Sequence, residues 1–166
     1  MFDKLLFLLL SMTLFDSAQS QSFDKFKKEF DKIEILPWVG QQQCIDSGTN
    51  INHSKKSTNS LQAILDRDTL EIPYLTKLLT DTTISKIYSC CLHRHFRKNE
   101  VALFLLKKID KFDERTVTNT LWDDIDSCVP VFWSFFLYFG ENYKDFSAKY
   151  KQYRLSNTRQ NIQKSQ

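Results

Sequence analysis

Two cysteines, Cys90 and Cys91, stand side by side between single cysteines at 44 and 128. Adjacent residues have Cα atoms ~3.8 Å apart, closer than an unstrained disulfide accepts. If oxidised, the pair therefore bonds elsewhere, one member to Cys44 and the other to Cys128, and both assignments stay open. Either way the 90–91 segment becomes the hub of the chain. The two closed loops have roughly 40 residues each and are worth about 3–4 kcal/mol apiece in the chain-entropy account.

Oxidation depends on the compartment. Leu5–Phe15 (LLFLLLSMTLF) is an uncharged apolar run behind Lys4. It falls short of the ~20 residues that cross a bilayer. Asp16-Ser17-Ala18-Gln19-Ser20 follows, with Ala18 and Ser20 as the small residues that signal peptidase needs. Residues 1–20 thus read as a secretory signal peptide, 21–155 as an exported domain, and 156–166 as a polar, disordered tail. The expected product is extracellular, with two disulfides, no transmembrane anchor and one N-glycosylation sequon at Asn52-His53-Ser54. Removing 1–20 takes one Lys and two Asp, leaving 22 basic against 18 acidic residues, a net +4. That is too mild for a nucleic-acid-binding domain.

Phe occurs 14 times and Gly three times, which disfavours a turn-rich β-sandwich and leaves no Gly-rich phosphate loop. Helical spacing runs through the chain. Phe23, Phe26, Phe30 and Ile33 define one amphipathic face behind Ser22, before Pro37; Leu61, Ile64 and Leu65 define another, interrupted at Pro73. A hub helix is expected from Asp81, with Ile84, Ile87, Cys91 and Leu92 inward and the basic run His93–Lys98 at its end. Asn99 would cap a helix burying Val101, Phe104, Leu105 and Ile109, and Thr116–Val129 would bury Leu121 and Ile125. Val129–Phe139 is the most apolar stretch, with Pro130 suited to a first helical turn and Gly140 to its close; Tyr143, Phe146, Tyr150 and Tyr153 mark the last helix. The expected fold is an all-α, disulfide-stapled bundle of five or six helices with no sheet of note.

Cys90, Cys91, His93 and His95 are all metal-ligating types, and Cys91 and His95 have helical i, i+4 spacing. No second CxxC or HxxxH completes a site, and export favours oxidised cysteines, so no metal and no cofactor are expected. His53, His93 and His95 sit in no nucleophile or metalloprotease frame, and Asp123, Asp124 and Asp126 lack a calcium-loop pattern. No catalytic residue is assigned. Two groups point to binding instead. Arg94, Arg97 and Lys98, with Lys149, Lys151 and Arg154, form basic patches for an acidic extracellular protein or a surface glycan. Phe132, Trp133, Phe135, Phe136 and Phe139 would either fill a core or line a cavity for an apolar small molecule. The expected role is extracellular protein or glycan binding without catalysis, the alternative a helical lipid carrier.

The order Cys44, Cys90-Cys91, Cys128 resembles the middle of the plant lipid-transfer and seed-albumin pattern. That family carries twice as many cysteines in a shorter chain, and no family is assigned on the cysteine order.

Overall fold

The computed structural model describes residues 22–38, 55–122 and 133–164. The expected signal peptide, Cys44, Asn52, His53, the three aspartates at 123–126, Cys128, Pro130 and Phe132 lie outside them. Among the described residues helices dominate. Helix α1 covers residues 22–30; α2 is Lys55–Asp66, followed by a 3-10 turn at Asp68–Glu71 and α3 at Ile72–Leu78. Strands β1 (Ile84–Ser89) and β2 (Arg94–Arg97) precede α4 (Lys98–Asp110), α5 (Glu114–Thr118) and α6 (Trp133–Lys164).

The first helices follow their apolar spacing. Phe26 and Phe30 are buried on α1, and Phe23, Phe26 and Tyr74 stack at 5.3–6.4 Å. The helix ends at residue 30, well before Pro37, and Ile33 enters the core from non-helical backbone. Pro73 falls in the first turn of α3, where its missing N–H breaks no helical bond.

The expected hub helix is instead an antiparallel β-hairpin, so the chain carries a small two-stranded sheet. Ile84, Ile87 and Tyr88 are β-branched or aromatic and favour extended backbone. Asp81 Oδ1 accepts from Thr83 N at 3.0 Å, a local turn in place of a helix start. Ile84 pairs with Arg97 and Tyr88 with His95, so β1 takes four steps where β2 takes two, and a bulge lies between. His93 closes the turn in the left-handed region with φ of 51°. Cys90 and Cys91 occupy this turn, half-buried, and neither is a free thiol.

Helix α4 takes the central place that the sequence gives to 81–98. Val101–Leu106 are all fully buried, so it has no wet face over six residues. Its start is tied to the chain before the hairpin, as Lys98 N donates to Thr83 O and Asn99 N to Asp81 O, both at 2.8 Å. Phe104 meets Phe96 edge-on at 5.1 Å and stacks on Phe136 of α6 at 5.8 Å. Leu121, expected inward, is 86% exposed, because α5 stops at Thr118 and Asn119 turns left-handed.

The α6 segment is two helical stretches joined across a kink at Asn142 (φ −116°, ψ 26°), two residues after Gly140, close to where the sequence expects one helix to end and the last to begin. Helical backbone continues to Lys164, through the segment read as a tail. Among the described residues no helix is long and apolar enough to cross a membrane.

Candidate functional site

The hairpin positions an exposed face. Because β-strand side chains alternate, Ile87, Ser89 and Phe96 point into the core, while Ile84, Lys86, Tyr88, His95 and Arg97 remain outside. Tyr88 and His95 meet edge to face, with ring centroids 5.3 Å apart. Ile84, opposite Arg97, is 72% exposed. Beside it a recess of about 210 Å³ is lined by Phe30, Ile33, Ile84 and Ile87, with Asp31 and Lys98 at its lip. Ser85 and Lys86 complete a lining of mixed polarity, and the recess is the size of a side chain or two rather than of a bound lipid.

The underside of the face is fixed by charge. Glu100, in the first turn of α4, is buried. Its carboxylate accepts from Arg94 Nη1 at 2.8 Å, from Arg94 Nη2 at 2.6 Å and from Arg97 N at 2.8 Å. The Glu100 carboxylate accordingly raises the pKa of the Arg94 guanidinium. Lys98 pairs with Asp31 at 2.6 Å. Of the three basic residues around the hairpin, Arg97 thus faces outward, while Arg94 ties the hairpin to α4 and Lys98 ties α4 to the turn that follows α1. Lys86, 4.0 Å from Glu34, joins Arg97 on the outer face.

The α6 group separates in the same way. Lys149 pairs with Asp145 at 2.9 Å, whereas Arg154 donates to Asp110, whose other oxygen accepts from Tyr150 at 2.7 Å. Burial, with the Asp110 carboxylate beside it, pushes the Tyr150 phenol well above its ordinary pKa. Lys151 is exposed, and Lys151 and Arg154 share the wall of a second groove with Lys77 of α3. Lys77, which the sequence reading passed over, also reaches the ring of Phe23, 4.9 Å from its centroid.

Phe135, Phe136 and Phe139 are core residues, and Trp133 is half-buried against them. Phe135 and Phe139 both meet Phe146 edge-on, at 5.3 and 5.4 Å, and Trp133 stacks on Phe136 at 5.9 Å. These rings occupy one another's space. Cys91 and His95 no longer share a helix face, since one lies in the turn and the other in β2.

Buried carboxylates escaped the sequence reading altogether. Glu71, Glu100 and Glu114 are each almost inaccessible and paired with Arg67, Arg94 and Lys107 respectively. The only signal was spacing: Glu71 lies four residues after Arg67, and Glu100 sits at the third helical position, where a carboxylate can reach back to the N-cap. In comparison with known proteins, no family model, no curated protein and no solved structure matches this chain.

Proposed function

We propose that the chain is exported, is stapled through Cys90 and Cys91 to Cys44 and Cys128, and acts by binding an acidic extracellular protein or surface glycan rather than by catalysis. The observation that carries this is the hairpin face: Ile84, Tyr88 and Arg97 stand exposed on it, and Ile84 also lines a small recess of mixed polarity. Tyr and Arg flanking an aliphatic anchor are the residue types that dominate binding hot spots. The filled packing around Phe135, Phe136 and Phe139 favours a binder over a carrier with its cavity there. A turn that holds both adjacent cysteines supports the staple, since bridges at that point would rigidify the strands beneath the face.

The test uses full-length protein collected from the medium of a secreting culture and titrated onto intact cells. Saturable binding is expected, about tenfold weaker or worse for Tyr88→Ala and for Arg97→Glu, with soluble heparin separating a glycan from a protein partner. Equal binding by all three proteins, or retention inside the cell with free thiols, would overturn the reading.

A further inference from the structure

A second surface has a different chemistry. The 3-10 turn and α3 present Thr69, Ile72, Pro73, Thr76 and Lys77, a stripe at helical spacing, and α6 presents Lys151, Arg154, Leu155 and Thr158. The two stripes enclose an open groove of about 500 Å³, within the range of small-molecule sites. Its walls are more apolar than the sequence suggests. Thr76 Oγ1 donates to Ile72 O at 2.6 Å and Thr158 Oγ1 to Arg154 O at 2.9 Å. Both hydroxyls are satisfied on their own helices, which reduces the polarity these two threonines bring to the lining shared with Ile72, Pro73 and Leu155. Leu155 is 63% exposed and adds an aliphatic side chain to the α6 wall.

The charged side chains lining the groove are Lys77, Lys151 and Arg154; Asp110 neutralises Arg154, which leaves Lys77 and Lys151 as the rim cations. An apolar floor with a one-sign basic rim is complementary to a ligand that carries an aliphatic body and a single anionic head. Length narrows the class. Seven residue steps along α6 at ~1.5 Å make the groove about 10 Å long, room for one medium alkyl chain and too little for a two-tailed lipid. We infer that this groove binds a free single-chain alkyl carboxylate, with its tail across Ile72, Pro73 and Leu155 and its head at Lys151 and Lys77. The site is separate from the hairpin face and does not depend on the partner proposed for it.

The experiment is calorimetric titration of the full-length protein with decanoate below its micellar range, beside decanol and decyltrimethylammonium. One-to-one binding of decanoate is expected, at least ~10-fold tighter than either of the others. Lys151→Glu and Leu155→Asn should each weaken decanoate ~10-fold or more without changing the ligand-free melting temperature, both residues being exposed. Lys149→Glu, on the same helix but outside the groove, should leave the affinity unchanged. Equal affinity for decanol would overturn the anionic head, and unaltered binding by Lys151→Glu would overturn the site. Binding to phosphatidylglycerol vesicles with none to free decanoate would overturn the free ligand in favour of a lipid surface.

Discussion

Arg94 and Glu100 meet fork to fork, both guanidinium nitrogens on both carboxylate oxygens, with Arg94 on β2 and Glu100 in the first turn of α4. Glu100 is almost fully buried and Arg94 half-exposed, so loss of the arginine strands an anion that cannot reach water. Arg94→Ala is expected to cost about 3 kcal/mol in urea unfolding, because breaking a buried pair from one side leaves the other charge uncompensated. Arg94→Lys should recover little, since an ammonium cannot reproduce the bidentate geometry. The double variant Arg94→Ala/Glu100→Gln should be more stable than Arg94→Ala alone.

Glu71 gives the opposite sign. Burial lifts its carboxyl above the ordinary value of 4.5, against the pull of Arg67. Only one of its oxygens is bonded to Arg67, and the other is buried without a hydrogen-bond partner. As pH rises from the ordinary value through the raised one, the unfolded chain gives up its proton first, so stability falls across that window. Glu71→Gln should abolish this slope and raise stability at neutral pH by about 1–2 kcal/mol, read from thermal melts at a series of pH values. Asp113 and Glu29 act below that window, held low by Thr116 and by Lys32 respectively, and their contribution is lost as pH falls through their lowered values.

Gly140 has helical backbone two residues before the kink of α6 at Asn142, and an added Cβ there would meet nothing within 4 Å. Gly140→Ala should therefore stabilise the protein by about 0.5–1 kcal/mol through reduced unfolded-state entropy and better helix propensity. A lowered melting temperature would instead assign the residue a role in the irregular turn at Asn142.

Cys90→Ser and Cys91→Ser are each expected to cost about 3–4 kcal/mol under oxidising conditions and nothing further under reducing ones. Non-reducing peptide mapping should return one peptide carrying both adjacent cysteines, linked to the Cys44 peptide and to the Cys128 peptide. A direct link between the last two would refute the arrangement.

The α1 face, the 61–65 face and the Phe135–Phe146 cluster were legible because one apolar period fitted each. Residues 84–92 were not, since Ile84, Ile87 and Cys91 at intervals of three and four satisfy a helix as well as a bulged strand. The bulge supplied the ambiguity, and the β-branched content of Ile84 and Ile87 was the signal to weigh. Among the basic residues, Lys149 has a partner readable at i,i+4 in Asp145, whereas Arg94 and Lys98 find Glu100 and Asp31 through contacts that only the fold creates. The groove was half visible, in Lys151 and Arg154; its other wall needed the fold to bring Lys77 opposite.

Helix α4 is buried all round over Val101–Leu106, and part of what covers it, Phe136 and its neighbours, is encoded some thirty residues later in α6. A ribosome making this chain therefore releases this buried helix before its cover exists. Until α6 emerges, a nascent chain stalled after α5 presents Phe104 to solvent and to other chains, and self-association competes with folding. The assembly order places the burden of quality control on the last helix, so premature termination before residue 133 should yield aggregates rather than a smaller folded protein.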